Sequence, residues 1–265
     1  MISLAPLTVN EAGPLDLIAA AAAGGFDAVD LRVIGPPGVA AVPPITDALA
    51  ADIRRRLTDN GITAFSATGI WLAPDFAVAS VESALATAAG LDASHCLAAG
   101  YDADWPRLTD NFAALCQSAT RYRLHIALEF MPYIPLNDIH EAVRLLRDAN
   151  QPNAGLVIDA LHLMRSGGMP SDVAAIPRER IAYVQLCDGP RLKPVGLALR
   201  EESLRHRLYP GDGEFPLFDL MDALPPDFTI DLETPCAADA HLPFDERARR
   251  AGDATRRFLA AYRAR

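Results

Sequence analysis

Four oxygen-bearing side chains follow short apolar runs in the second half of the chain: Glu129, Asp159, Gln185 and Glu233. Each one alone is typical of a helix cap or a partner for a nearby arginine. Three carboxylates that converge without a cation would repel one another and raise one another's pKa values. A divalent cation removes this conflict, and a shell made only of carboxylate and amide oxygens suits Mg²⁺ or Mn²⁺ rather than zinc. The pattern therefore predicts one Mg²⁺ or Mn²⁺ ion bound by these four residues.

The elements that must position these residues alternate between short β-like runs and longer helical patterns. Such alternation predicts parallel strands joined by crossover helices. Strands are predicted over residues 2–7, 28–31, 63–68, 95–98, 125–130, 156–159, 181–187 and 229–233. Helices are predicted over 14–23, 46–60, 78–89, 108–121, 137–149, 162–175 (broken), 215–223 and 244–262.

Eight strands, each followed by a helix, predict a single (β/α)8 TIM barrel, and we expect residues 1–265 to form one such domain. Catalytic groups in this fold project from the C-terminal ends of the strands, where the four predicted ligands lie. An open doubly wound sheet is the alternative, but the first strand lacks the Gly-rich turn of a dinucleotide site. The Pro-rich stretch 35–44 is predicted to be a long surface loop.

Composition excludes several classes of function. The 265 residues are 51% hydrophobic and 22% charged, as in an ordinary folded chain. A formal net charge of −10 argues against nucleic acid and anionic membranes as partners. The only lysine, Lys193, lies beside a proline in a predicted loop, which argues against Schiff-base chemistry. Four cysteines without paired spacing, and no signal peptide or long apolar run, predict buried free thiols in a soluble cytoplasmic protein.

Longer segments around the predicted ligands resemble a known family, the sugar phosphate isomerase/epimerase family of xylose isomerase-like TIM barrels. The likeness spans most of the chain and is most specific in the second half. It is carried by residues 25–32, 128–130, 157–168, 184–189, 207–214 and 231–233. The resemblance implies one divalent metal held by a Glu, an Asp, a His or Gln and a Glu, which match Glu129, Asp159, Gln185 and Glu233.

The resemblance also implies the reaction. It indicates a divalent-metal-dependent sugar or sugar phosphate isomerase/epimerase, acting on an α-hydroxy carbonyl substrate through an enediolate, with Glu129 or Glu233 as general base. The third ligand of the ketose epimerases is commonly histidine, however, and Gln185 is similar to the 3-dehydroshikimate dehydratase branch. A metal-dependent dehydratase (lyase) of the 3-dehydroshikimate or inosose type is therefore the alternative. A non-catalytic sugar-binding barrel is less favoured, because all four positions carry ligating atoms. An endonuclease of this barrel type is disfavoured, because it would have a histidine-rich zinc site and a basic surface. Here only His162 falls at a strand-end position, and the net charge is −10.

Four further residues are candidates for the site. By the resemblance, His162 lies near substrate and can transfer a proton; the alternative is a loop histidine bonded to backbone. Arg207 by resemblance faces the site, where its guanidinium could hold a carboxylate, a phosphate or hydroxyls, although a solvated turn arginine is the simpler interpretation. Asp188 and Arg32, at the ends of two predicted strands, are candidate substrate-binding residues. The expected partner is a small sugar or polyhydroxy carbonyl compound, and a homo-oligomer is compatible with the family.

Overall fold

The computed structural model describes residues 1–35 and 44–265. Within these residues the chain forms a closed barrel of eight parallel strands whose order around the barrel follows their order in the sequence. The prediction of a single (β/α)8 TIM barrel is confirmed. The predicted loop at 35–44 lies almost entirely outside the described residues.

The strands and helices have these bounds. The strands are β1 (Ile2–Leu4), β2 (Ala28–Arg32), β3 (Thr63–Leu72), β4 (His95–Gly100), β5 (His125–Glu129), β6 (Ala154–Asp159), β7 (Ile181–Leu186) and β8 (Ile230–Leu232). The helices are α1 (Pro14–Gly24), α2 (Asp47–Asn60), α3 (Glu82–Gly90), α4 (Trp105–Thr120), α5 (Ile139–Ala149), α6 (Ala160–Arg165), α7 (Pro170–Ala174), α8 (Leu199–Arg205), α9 (Leu217–Ala223) and α10 (Phe244–Arg263).

Two apolar layers result from the alternation of side chains along each strand. One set of alternate residues packs outward against the helices and forms the larger core. The other set faces the barrel axis, where six strands contribute one buried residue each to a smaller cluster: Ala28, Phe65, Leu97, Ala127, Val157 and Tyr183. The barrel interior is therefore filled, and polar groups reach solvent only at its ends.

Several predicted elements have different bounds in the structure. The first strand ends at Leu4 rather than residue 7, because Pro6 has no N–H for the ladder and begins a 3-10 turn. The predicted broken helix is two separate helices, α6 and α7, divided by Gly167 with a positive φ of 83°. The connection after β7, for which the sequence predicted no helix before residue 215, contains α8.

All four cysteines are free, as predicted; three of them are buried, whereas Cys236 is partly exposed, contrary to the prediction. Among residues 1–35 and 44–265, we find no helix with the length and apolar character that a membrane crossing requires.

Helices α1 and α10 approach each other closely because two glycines lie where they meet. A Cβ atom added to Gly252 would lie 2.3 Å from the carbonyl oxygen of Gly24, and one added to Gly24 would lie 2.6 Å from that of Ala248. Only hydrogen fits at these positions. The contact between the two backbones therefore depends on glycine at both.

We expect Gly252→Ala to lower the free energy of unfolding by about 1–3 kcal/mol, because the added methyl group forces the two helices apart. The intrinsic helix preference of alanine acts in the opposite direction, by roughly 1 kcal/mol. Urea denaturation measures the difference. The control is Gly90→Ala at the end of α3, where an added Cβ would meet no atom within 4 Å. Equal stability of the two variants would contradict this account.

Candidate active site

The ends of four neighbouring strands bring the predicted ligands to the C-terminal end of the barrel. Glu129 and Asp159 are the last residues of β5 and β6, and Glu233 directly follows β8. Gln185 on β7 pairs in register with Asp159 on one side and with Asp231 of β8 on the other. Glu129, Asp159 and Gln185 are no more than 5% exposed, and the side chain of Glu233 is 13% exposed.

A buried guanidinium group lies between two of these carboxylates. Arg207 is 1% exposed; its Nη1 donates to Oδ2 of Asp159 at 2.6 Å, and its Nη2 lies 2.8 Å from Oε2 of Glu233. Its Nε donates to the backbone carbonyl of Ser203 at 2.9 Å. Burial opposes the charge on Arg207, but the two carboxylates outweigh it and raise the pKa of Arg207 well above its usual value. Arg207 thus faces the site and is not a solvated turn residue.

The three carboxylates differ in how readily they ionise. Burial raises the pKa of Glu129 well above its usual value, and repulsion from Glu233 and Asp159 adds to the effect. Burial likewise raises the pKa of Glu233 to about 7, although Arg207 opposes it. Burial also acts against ionisation of Asp159, but the charge of Arg207 outweighs it and lowers the pKa of Asp159. Without a further cation, one carboxylate is therefore firmly ionised and two are poised to hold a proton.

His162 lies beside this cluster because Asp159 caps the N-terminus of α6. Oδ1 of Asp159 accepts a hydrogen bond from the backbone N–H of His162 at 2.9 Å. The imidazole is 2% exposed, and its Nε2 lies 3.7 Å from Oε1 of Glu129, too far for a direct hydrogen bond. Burial lowers the pKa of His162 to about 4, so the ring is neutral at pH 7.

The donor set fits a divalent metal. Glu129, Asp159 and His162 offer ligand atoms that all lie within 4.8 Å of one another. Nε2 of Gln185 lies 3.4 Å from both Oδ2 of Asp231 and Oε1 of Glu233, which leaves its Oε1 buried without a partner among the described residues. A buried carbonyl oxygen without a partner is costly unless a cation or donor meets it. The structure thus adds His162 to the groups that could hold the ion.

A cavity opens above these groups at the C-terminal end of the barrel. Its apolar lining consists of Pro6, Leu7, Trp71, Leu97, Met131 and Leu204. Its polar lining consists of Arg32, Thr68, Tyr101, Glu129, Tyr133, His162, Arg200, Ser203, Arg207 and Glu233. Of the predicted site residues, it brings together Arg32, Glu129, His162, Arg207 and Glu233.

Several lining residues were not predicted. Tyr101 directly follows β4. The predicted strand ended two residues earlier than β4 does, and Tyr101 was therefore not recognised as a strand-end residue. Tyr133 lies in the loop after β5, where its hydroxyl lies 3.1 Å from that of Ser203. Ser203 and Arg200 belong to α8, for which the sequence offered no motif.

Asp188 has a role different from the predicted substrate contact. It does not line the cavity. Its carboxylate accepts four backbone N–H bonds of 2.8–3.0 Å, from Gly189, Gly211, Gly213 and Phe215. The side chain therefore fixes the turn at 211–215 against the end of β7.

Comparison with known proteins places the chain in a family of barrels. The family model for the xylose isomerase-like TIM barrel matches residues 18–260. The chain belongs to this family, which confirms the resemblance seen in the sequence. Members of the family are enzymes, including isomerases, epimerases and dehydratases.

Solved structures show the same fold at low sequence identity. The IOLI protein, solved with a bound zinc atom, superimposes with a TM-score of 0.82 at 18% identity over 98% of each chain. A D-allulose 3-epimerase from Methylomonas sp. gives a TM-score of 0.69 at 18% identity over 97% of each chain. AsbF of Bacillus anthracis, a probable 3-DHS dehydratase, gives a TM-score of 0.75 at 13% identity over 96% of this chain and 98% of that one.

Two curated relatives are similar in sequence over part of the chain. They are the 3-dehydroshikimate dehydratases of Pseudomonas aeruginosa and Pseudomonas putida, which are 33% and 30% identical over 111 residues. The match covers 42% of this chain but only 17% of the length of either relative.

We expect Asp188→Asn to lower the free energy of unfolding by about 1–3 kcal/mol, because an amide has one acceptor oxygen for four backbone donors. Metal affinity should stay at the wild-type value. The matched control is Asp212→Asn, an exposed position in the same turn. Denaturant unfolding with a parallel Mn²⁺ titration measures both quantities. Equal stability of the two variants, or a loss of metal affinity in Asp188→Asn, would contradict the structural role.

Proposed function

We propose that the protein binds one divalent ion, Mg²⁺ or Mn²⁺, through Glu129, Asp159, Gln185 and Glu233. The buried, unpartnered Oε1 of Gln185 supports this ligand set, as does the excess of carboxylates over cations at the strand ends. When bound, the ion would polarise a substrate carbonyl and stabilise the negative charge that develops on it.

The reaction we propose begins with removal of a proton from the carbon next to that carbonyl. The observation that carries it is the pair of Glu129 and His162. Both line the cavity, and Oε1 of Glu129 lies 3.7 Å from Nε2 of His162. Glu129 in its ionised form is the proton acceptor, because burial raises its pKa, and the neutral His162 lies beside it. Leu97 and Met131, which are both buried, belong to the apolar lining of the same cavity.

Two reactions can follow removal of the proton, and we propose elimination as the first candidate. The C–H bond breaks toward the Glu129–His162 pair, the β C–O bond breaks, and the proton leaves with the hydroxyl as water. Gln185 at the third ligand position and the two Pseudomonas relatives support this dehydratase reaction. The ion pair of Glu233 with Arg207 at 2.8 Å supports it as well, because it leaves Glu129 as the glutamate available to act as base.

Isomerisation or epimerisation, the first interpretation of the sequence, is the second candidate. An epimerase needs acid–base groups on opposite faces of the substrate carbon. Glu129 and Glu233 approach the cavity from β5 and β8, so they could serve two faces if substrate displaced Arg207 from Glu233. The fold shared with the Methylomonas epimerase is compatible with this outcome.

We expect proton NMR in D₂O, with Mg²⁺-loaded protein, to show new aromatic or vinylic signals from 3-dehydroshikimate or an inosose. Free ketoses and ketose phosphates complete the panel. Deuterium entering beside a carbonyl together with a new sugar would establish the isomerase/epimerase reaction instead. No change in any sample would contradict the enzymatic proposal and favour a sugar-binding barrel.

The same assay tests the role of Glu129 as the base. Glu129→Gln should lower turnover by roughly 10²–10⁴-fold, because it removes the proposed base. The control is Glu179→Gln, an exposed carboxylate just before β7 at the opposite end of the barrel. Circular dichroism verifies the fold of both variants.

We expect Gln185→His to keep a bound metal but to shift its preference from Mg²⁺ and Mn²⁺ toward Zn²⁺, because imidazole is a softer ligand than an amide oxygen. Competition titrations with the three ions measure the order of affinity. An unchanged order would contradict the placement of Gln185 among the ligands.

A further inference from the structure

Two arginines that line the cavity have no carboxylate partner. Arg32 is the last residue of β2, and its guanidinium donates to the backbone oxygen and Oδ1 of Asn10 at 3.4 and 3.0 Å. Arg200 lies in the first turn of α8 and is exposed. Within the ranges 1–35 and 44–265, neither guanidinium lies within the 4.0 Å ion-pair distance of a carboxylate oxygen.

The carboxylates of the neighbouring groove form ion pairs with other arginines. A groove of about 750 Å³ continues outward from the cavity past both arginines. Its two carboxylates have their own partners, because Glu11 lies 2.7 Å from Arg247 and Glu201 lies 3.6 Å from Arg205. Among the described residues, neither of these carboxylates therefore forms an ion pair with Arg32 or Arg200.

Two deeper carboxylates act on Arg32 without forming an ion pair with it. They are Asp30 and Glu233, and together with Glu11 of the groove their charges favour the ionised form of Arg32, whereas burial lowers its pKa. Oδ2 of Asp30 accepts a hydrogen bond from the hydroxyl of Thr68 at 2.5 Å, and Glu233 pairs with Arg207. In the proposed metal-loaded site, the three carboxylate ligands are balanced by the divalent ion and Arg207. Asp30 offsets one of the two charges of Arg32 and Arg200, which leaves a net positive charge facing the substrate.

We propose that Arg32 and Arg200 bind an anionic group of the substrate, a carboxylate or a phosphate, so that the substrate is an anionic polyhydroxy carbonyl compound and not a neutral sugar. This rests on the proposed function. A guanidinium group matches the planar oxygens of a carboxylate or phosphate, and charge-assisted hydrogen bonds of this kind are the strong ones. The two arginines would hold the anionic end at the mouth, with the carbonyl end directed to the metal site.

Calorimetry with two pairs of compounds that lack a carbonyl tests the proposal without requiring turnover. The pairs are shikimate with its methyl ester, and glucitol 6-phosphate with glucitol, each titrated into Mn²⁺-loaded protein. We expect the charged member of one pair to bind at least about tenfold more tightly than the uncharged member. The pair that shows the preference identifies the anion as carboxylate or phosphate.

Two variants test whether Arg32 and Arg200 cause the tighter binding of the charged compound. Arg200→Gln and Arg32→Gln should each reduce it about tenfold while leaving Mn²⁺ affinity unchanged. Arg200 is exposed, so its variant is expected to fold even if Arg32→Gln does not. The matched control is Arg191→Gln in the connection before the same helix, an exposed side chain that lines neither the groove nor the cavity and should leave the preference intact.

Three results would overturn the proposal. They are no charge-dependent preference in either pair, no binding of any of the four compounds, and a preference that persists in both arginine variants. The proposed metal site fails independently of these, because its failure shows as absence of Mn²⁺ binding in the titration that precedes the ligand experiment.

Discussion

The arrangement of the site depends on the buried ion pairs of Arg207 with Asp159 and Glu233. Burying a guanidinium or a carboxylate alone is prohibitively costly, and three carboxylates gathered at adjacent strand ends would otherwise have to protonate. Asp159 links this interaction to the rest of the site, since one of its oxygens accepts from Arg207 and the other caps α6 and so places His162. A shift of the Arg207 guanidinium would therefore move Asp159, and with it the start of α6 and the imidazole of His162.

The barrel interior below the site is polar on one side only. Leu97, Ala127 and Val157 face the axis from β4, β5 and β6. On the other side, β2 and β3 add the buried polar residues Asp30 and Ser66 to Ala28 and Phe65, and β1 and β8 place the buried residues Ser3 and Asp231. Burial raises the pKa of Asp30 to about 6 and that of Asp231 well above its usual value. This polar half matters for Gln185, because its amide nitrogen turns toward Asp231 and Glu233 and its oxygen is left as the available acceptor. The orientation of the proposed ligand is thus set by the strand beside it.

The features that could be predicted from the sequence are those encoded locally. Apolar runs ending in Glu129, Asp159, Gln185 and Glu233 defined the strands and their C-terminal ends together, and fold and candidate site followed from the same pattern. The spacing of three residues between Asp159 and His162 is that of a helix cap. What sequence could not show depends on contacts between distant segments. Asp188 receives backbone donors from residues 23 to 27 positions later, and nothing in its own neighbourhood distinguishes that role from a substrate contact. Helix α8 likewise lacks a pattern of its own, because only its packing stabilises so short a segment.

That packing explains how a segment outside the strands can take part in the site. Glu202 of α8 forms a buried, two-bond ion pair with Arg165 of α6 at 2.7 and 2.9 Å. Its neighbour Ser203 accepts from Arg207 through its carbonyl and lies 3.1 Å from the hydroxyl of Tyr133. Consecutive residues of α8 are therefore held by the helix that begins at Asp159, by the guanidinium between the carboxylates, and by the loop after β5. Because the same helix carries Arg200 at the mouth of the cavity, the group that would select the substrate is positioned by the interactions that order the reacting end. If the proposed function holds, the strands supply the reacting groups and α8 connects them to the group that binds the substrate.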